Sequence, residues 1–340
     1  MNTHPFARLT PDRVLDAVEH LGVVTDGRLF ALNSFENRVY LVGRENADPI
    51  IAKFYRPGRF TDAQILEEHA FLDELAEADL PVAAAIRDRD GLSLSRMTEV
   101  FAAAADRAED VSSIPDFRVA LFPKLRGRAP ELESTENLEW LGRLIARQHQ
   151  IGAAGVFKTR PPISVELLGD AGLDATLRGP LLPEGLHKRF EQSVRALLQV
   201  VRLAFDNAAP LRRLRAHGDL HPGNLLWNEQ GPVFVDYDDC GMAPAIQDLW
   251  MLLPGDAEGR DQALMSVLEG YSVFRELDLS QIALIEPLRA LRLVHYGGWL
   301  SARFEDPAFP LAFPFGNSPR FWEDHMLTLE QQRERIEDAG

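Results

Sequence analysis

The apolar positions of this chain change period partway along it. In TPDRVLDAVEHLG, Val14, Leu15, Val18 and Leu21 recur at helical spacing between a Thr-Pro start and Gly22, which predicts a short amphipathic helix. Three apolar runs follow, near Leu29–Leu32, Val39–Val42 and Ile50–Tyr55, and read as strands of an antiparallel sheet. TDAQILEEHAFLDELAEADLP offers Thr61 as N-cap and a periodic apolar set that stops at Pro81, predicting one substantial helix laid on that sheet. PVAAAI, LSLSRM and FRVALFP read as further strands. The Ala-rich TEVFAAAADRAEDVSSIPD, between the last two, reads as a surface excursion.

From Leu125 onward helical periods dominate, in ENLEWLGRLIARQHQIG, RFEQSVRALLQVVRLAF and IALIEPLRALRLVHYGGWLSARF. The exception is Arg215 to Asp236, where Leu225–Trp227 and Val233–Val235 read as short strands about a turn at Asn228–Gly231. The change from strands to helices puts a boundary near Pro123 and predicts an α+β, two-lobed chain, with a sheet and helix in residues 1–123 and a mostly helical region in 124–340. A length of 340 residues agrees, since one core seldom fills a chain of that size, and a cleft between the lobes is expected.

Composition narrows the class. Hydrophobic residues make up 46% and charged residues 26%, the balance of a soluble globular protein. No apolar run approaches the ~20 residues that span a bilayer. The start MNTHPFARLTPDRV lacks the cationic and apolar stretches of a secretory signal, and Cys240 is the single cysteine, so the expected location is the cytoplasm. Lys and Arg number 36 against 52 Asp and Glu, a formal charge of −16, which argues against nucleic acid as a partner. A basic partner is easier to imagine, although solubility alone accounts for an acidic chain. No membrane partner is expected, and the chain is read as a monomer.

The chemistry concentrates in RAHGDLHPGNLLWNEQGPVFVDYDD, where Asp219 and Asn224 lie five apart on a loop and Asp236 ends a strand twelve residues later. Phosphoryl transfer explains that set, because its transition state spreads negative charge over phosphate oxygens and the incoming hydroxyl must lose a proton. Asp219 fits the base, and Asn224 and Asp236 fit Mg2+, a hard cation that takes oxygen donors and completes its shell with water and phosphate. The bland alternative makes Asp219 a turn cap, Asn224 an Asx-turn and Asp236 a strand end. His217 and His221 flank Asp219 on an irregular loop with no third soft ligand, so His217 reads as a hydrogen-bonded scaffold residue rather than a zinc ligand.

HGDLHPGN, followed by FVDYDD and GMAPAIQDLW, resembles the aminoglycoside phosphotransferase and choline kinase group of protein-kinase-like enzymes. LNSFENRVYLV, AKFYRPGRF, AQILEEHAFL, PVAA, HGDLHPGNLLW, QDLWMLL, IEPLRALRLVHY and DPAFP together resemble the bacterial stress response kinase family across most of the chain. The resemblance implies a cytoplasmic serine/threonine protein kinase that uses ATP and magnesium and acts in survival of envelope or oxidative stress. It also implies that Lys53 is the strand lysine that contacts the nucleotide phosphates and pairs with a helix glutamate. Ile65, Glu68, Leu72, Leu75 and Ala76 share one helical arc, so Glu68 faces inward and is the expected partner of Lys53, with Glu67 as the fallback. LNSFENRVY has no glycine where a phosphate-covering loop usually has several. The resemblance sets Ser34 and Asn37 near the phosphates, although surface turn residues would look the same. Asp248 resembles the aspartate that holds the catalytic loop, and would equally serve as a helix cap. Asp238 and Asp239 would add negative potential or form a solvated turn. The adenine is expected near Leu121, Phe122 and Leu125.

The acceptor is read as a serine or threonine of a protein. A kinase of a small alcohol, amino sugar or choline-like cation is the near rival, since the same loop serves all of them. A nucleotide-binding pseudokinase regulator is the rival of another class, opposed by the presence of Lys53, Glu68, Asp219, Asn224 and Asp236 together.

Overall fold

The structure, a computed structural model, describes residues 4–98, 117–254 and 257–339. The Ala-rich excursion, from residue 99 to 116, lies outside them. The chain packs into two compact units, Met1–Ala129 with Leu226–Val235, and Pro130–Leu225 with Asp236–Gly340. Residues 226–235, expected in the second region, group with the first because their backbone pairs there. Trp227 and Arg128 exchange hydrogen bonds of 2.8 Å, and Phe234 N–H donates to the Pro81 carbonyl at 2.9 Å.

In the first unit, helix α1 (Pro11–His20) is capped by the Thr10 side chain and precedes strands β1 (Thr25–Ala31), β2 (Arg38–Arg44) and β3 (Ala47–Tyr55). Helix α2 (Asp62–Glu77) starts at a reciprocal Thr61–Gln64 capping box and stops where Asp79 turns left-handed, at φ 55°. Strands β4 (Ser95–Arg96) and β5 (Arg118–Pro123) complete an antiparallel sheet of order β1-β2-β3-β5-β4. The strands expected at PVAAAI and LSLSRM shrink to bridges at Val82 and Ile86 and to the two residues of β4. Val82 N–H turns back to the Leu80 carbonyl at 2.8 Å, and a tight turn engages Leu92, with Asp88 N–H donating to its carbonyl at 2.9 Å and Gly91 at φ 78°.

The period of two decides what each face of this sheet holds. Ile50, Ala52 and Phe54 of β3, with Val119 and Leu121 of β5, form a core with Val14, Ala17 and Val18 of α1. Lys53, Tyr55 and Phe122 point the other way, where Tyr55 and Phe122 meet the His69 ring of α2 at 6.2 and 5.7 Å. A polar strand residue thus has a helix to face.

In the second unit, α3 (Thr135–Ala153), a π-turn at Val165–Asp170, α4 (Ala171–Arg178) and α5 (His187–Asn207) lead to strand β6 (Leu214–Ala216). After the hairpin β7 (Leu225–Asn228) and β8 (Gly231–Phe234), which from Leu226 on groups with the first unit, comes β9 (Gly241–Ala243), which pairs back on β6 with Ala216 opposite Gly241. Then follow α6 (Gln247–Trp250), α7 (Ala257–Ser272), α8 (Ile285–Arg303), α9 (Ala308–Ala312) and α10 (Pro319–Ala339). Among the described residues no helix is long and apolar enough to cross a membrane.

Helix α3 lies against α7 at backbone distance. A β-carbon at Gly142 would come 2.1 Å from the Val267 carbonyl oxygen, and one at Gly270 would come 1.9 Å from that of Glu139. Only glycine permits this approach. Gly142→Leu or Gly270→Val is therefore expected to cost about 1–3 kcal/mol or more by overpacking, read by chemical unfolding against wild type.

A second prediction concerns acid. His325 of α10 is buried between the rings of Phe190 and Phe321, and its Nε2 has no hydrogen-bond partner among the described residues. Burial lowers its imidazole from the ordinary 6.5 to about 4. The unfolded chain takes up the proton near 6.5 and the folded chain only near 4, so this contribution is full above pH 6.5 and lost as pH falls through that window. The loss amounts to about 3 kcal/mol, and His325→Phe should flatten the stability curve there.

Candidate active site

The antiparallel pairing of β6 with β9 brings two loops out at one end, because His217 follows Ala216 just as Cys240 precedes Gly241. The loop His217–Asn224 carries Asp219 and Asn224, while Asp236 enters the turn before β9 in the left-handed region, at φ 63°. A non-glycine residue at positive φ is uncommon and costs backbone energy, so the turn holds Asp236 against a local preference.

The loop is held by Asp248. Its carboxylate is fully buried and accepts hydrogen bonds from His217 N at 2.8 Å, Gly218 N at 2.8 Å, Gln148 Nε2 at 3.1 Å and His149 Nε2 at 3.0 Å. Burial pushes this carboxyl up, but the hydrogen bond and charge of His149, the His217 ring and the Gly218 amide outweigh it and hold Asp248 below its ordinary range. A carboxylate only accepts, so His149 carries the proton on Nε2, and in the neutral ring Nδ1 accepts from Tyr271 O–H, 2.9 Å away. Tyr237 O–H donates to Gln148 Oε1 at 2.6 Å, and burial drives the Tyr237 phenol well above its ordinary value. Gln247 Nε2 closes the set by donating to the Gly218 carbonyl at 2.7 Å. Gly218 has φ 86°, and a β-carbon there would lie 2.2 Å from the Asp239 carbonyl oxygen, so the turn admits no other residue without strain.

Asp219 is half-buried and faces a guanidinium and an imidazole. Arg292 of α8 donates to Oδ1 through Nη1, and His221 Nε2 lies 3.5 Å from Oδ2. Burial, then the Arg292 and His217 charges, lower the His221 imidazole, with Asp219 opposing them. His217 and His221 each turn Nδ1 toward a loop amide, those of Asp219 at 3.4 Å and Gly223 at 3.0 Å. These contacts give both histidines scaffolding work.

Asn224 donates its Nδ2 to the Asp219 carbonyl at 2.9 Å, which fixes the amide so that Oδ1 points away from the loop backbone. Asn224 Oδ1 and the Asp236 carboxylate are each hard oxygen donors, the chemistry Mg2+ takes alongside phosphate oxygens. Among the described residues no group of three or more His, Cys, Asp or Glu could hold a metal ion.

In the first unit, Lys53 Nζ lies 3.4 Å from Glu68 Oε1, with both side chains buried. The ammonium also stands 4.9 Å from the Tyr55 ring and 5.7 Å from that of Phe122. Ser34 is half-buried in the β1–β2 loop. Asn37 is buried, and its Oδ1 accepts from Arg56 N at 2.9 Å. The Arg56 guanidinium donates to the carbonyls of Glu36 at 2.8 Å and Phe35 at 3.0 Å, so Arg56 and Asn37 brace a loop that has no glycine. Leu121 and Phe122 are buried on β5.

The structure thus brings Lys53 to Glu68 in one unit, and His217, Asp219, Asn224 and Asp248 together in the other. Sequence reasoning missed Gln148, His149, Tyr237, Gln247, Tyr271 and Arg292. Two of these left a signal, since Gln148 and His149 fall on the buried stripe of α3 among Leu141, Ile145 and Gly152.

The phosphotransferase enzyme family matches residues 29–285. "Stress response kinase A" of Escherichia coli is 38% identical over 337 residues, covering 98% of this chain and 95% of that protein. "Serine/threonine protein kinase RdoA" of Salmonella typhimurium is 36% identical, covering 97% and 94%. The amicoumacin kinase hAmiN, solved with AMP-PNP and Ca2+, superposes with a TM-score of 0.68 at 21% identity, over 93% of this chain and 90% of that one. The chain belongs to the phosphotransferase enzyme family, is a kinase-type enzyme, and stands within the family with the bacterial stress response kinases.

Asp248→Asn is expected to leave at least one of the two loop amides without its acceptor and to cost about 3–5 kcal/mol, the range for breaking a buried charge network. A thermal melt checks the cost. A loss of kcat larger than any rise in KM, measured well below the melting point, would mark disturbance of the loop rather than general unfolding.

Proposed function

We propose, from membership of that family, that the chain transfers the γ-phosphoryl group of ATP to a serine or threonine hydroxyl of a protein, as part of a stress response. The observation that carries this reading is Asp219, a carboxylate displayed on a loop whose backbone is held by a buried, four-fold hydrogen-bonded Asp248. The acceptor O–H gives its proton to Asp219 as the new O–P bond forms. The bond from the γ-phosphorus to its bridging oxygen breaks, and ADP leaves. Lys53, flanked by Glu68 and two aromatic rings, is assigned to the nucleotide phosphates. Ser34 and the loop braced through Asn37 are assigned to cover them. Asn224 and Asp236 would hold Mg2+, which supplies positive charge to the phosphate oxygens when bound. Arg292 holds Oδ1 of Asp219, and Oδ2 is the oxygen left to accept the proton.

The relative named as a serine/threonine protein kinase supports a protein acceptor. A small alcohol is the second reading, favoured by a cavity of about 440 Å³ lined by His221 and Arg292, a size typical of small-molecule sites.

The test is transfer of labelled γ-phosphate from Mg·ATP to the protein itself, to protein acceptors and to small alcohols. Asp219→Asn is expected to lower kcat by about 10²–10⁴-fold while nucleotide affinity stays within a few-fold. Label on small alcohols alone would move the acceptor to the second reading. Nucleotide binding without transfer to any acceptor would leave a pseudokinase.

A further inference from the structure

The geometry points to an anion-selecting acceptor site: the cavity beside Asp219 takes a hydroxyl-bearing ligand that carries a carboxylate or phosphate within side-chain reach of that hydroxyl. The inference rests on the reading of Asp219 as proton acceptor.

The cavity lies wholly in the second unit, where one face of α8 supplies Arg289, Arg292, Leu293 and Tyr296 at i, i+3, i+4 and i+7. Helix α10 adds Thr328, Gln332 and Arg335 at i, i+4 and i+7, and Trp250 and Met251 close the apolar wall. Three arginines and no aspartate or glutamate line this space, on a chain whose formal charge is −16. The local sign is the reverse of the global one.

The nearby carboxylates do not cancel these arginines. Glu286 lies 3.5 Å from Arg289 but also accepts from Arg260 at 2.8 Å and from Gln332 at 2.6 Å. The hydrogen bonds of this carboxylate thus go to Arg260 and Gln332, and Arg289 is left with the ion pair alone. Arg289 Nε and Nη2 are buried without a hydrogen-bond partner among the described residues, and its guanidinium is set over the Trp250 ring at 5.4 Å. Arg335 makes no ion pair among the described residues. Arg292 is shared between Asp219 Oδ1 and the Met251 sulfur, 3.1 Å away. Buried donors left unmade are costly, and a guanidinium recognises carboxylate or phosphate in a fork geometry that a neutral or cationic acceptor cannot supply. An anionic group entering the cavity would satisfy Arg289 and Arg335 and compete for Arg292, drawing it from Asp219 as the acceptor hydroxyl arrives. The choline-like or amino-sugar acceptors that the acidic composition invites would instead meet three positive charges.

Two sources offer this chemistry, a serine or threonine flanked by acidic residues and a small phosphorylated alcohol. Fluorescent serine peptides of equal length with glutamate, neutral or lysine flanks are titrated against wild type, Arg289→Gln, Arg335→Gln and Arg335→Glu, with and without saturating Mg·AMP-PNP. The same acceptors and a phosphorylated sugar are then offered with Mg·ATP.

Wild type is expected to bind the glutamate peptide about tenfold or more tightly than the lysine peptide, a preference that weakens with salt. The two glutamine variants should bring the ratio near one, and Arg335→Glu should move it toward lysine. Arg335 is exposed, so its variants carry the test if Arg289→Gln melts early. Displacement of the peptide by the phosphorylated sugar, with label on the sugar, would support the site and name the small alcohol as its source. Equal or tighter binding of the lysine peptide, or an acidic preference that survives both Arg335 variants, overturns the inference. So does loss of the acidic peptide on saturation with AMP-PNP, which would assign the arginines to nucleotide phosphates. Charge-selective binding with no transfer to any acceptor contradicts the kinase reading and leaves the charge selection standing.

Discussion

A buried carboxylate that must find donors for its lone pairs is the constraint on which the second unit turns. Asp248 sits in the protein interior, where an unpaired charge would cost several kcal/mol. It finds two donors on the backbone of His217 and Gly218 and two on side chains of α3. Those bonds tie the loop bearing Asp219 to a helix that is itself fixed to α7 by glycine-to-carbonyl contact at Gly142 and Gly270. Position therefore passes from helix packing, through His149, Gln148 and Asp248, to the backbone beside the reactive carboxylate. Backbone bonds suit this purpose, because they fix where the loop runs and leave the Asp219 side chain to engage Arg292 or a ligand.

The first unit applies the same logic with less hardware. Alternation along β3 turns Ala52 and Phe54 into the core beneath α1 and sends Lys53 to α2, where Glu68 stands on the apolar stripe. Lys53 and Glu68 satisfy one another in a dry setting, and neither would be stable there alone. The loop before β2 shows how a turn can be stiffened without glycine, by side chains of Arg56 and Asn37 that occupy backbone groups reached from a neighbouring strand.

Much of this was legible in the residues. Period-two and period-3.6 patterns located the sheet, α2, α3, α5 and α8, because burial on one face leaves a local trace. The inward turn of Glu68 followed from its place among Ile65, Leu72 and Leu75. What could not be read were partners distant in sequence. The bond from His149 to Asp248 spans 99 residues, and that from Arg292 to Asp219 spans 73. Nothing local distinguishes Arg292 from any other helix-surface arginine, and the cationic cavity emerges only when α8 and α10 lie side by side. The strands expected at PVAAAI and LSLSRM shrank for a related reason, since Val82 bonds back to Leu80 and a turn at Asp88–Leu92 takes the Leu92 carbonyl. A net charge count likewise averages away a local concentration of arginine, such as the three that line one cavity.

If Asp248 is the anchor described, the amides of His217 and Gly218 can exchange with solvent only when the buried network opens. Hydrogen–deuterium exchange of the loop, resolved to those amides, measures this directly in the free protein. Protection comparable to the core of α3 is the predicted result. Exchange as fast as that of an exposed turn would mean that the loop is not held by Asp248, and that the positioning of Asp219 must come from elsewhere.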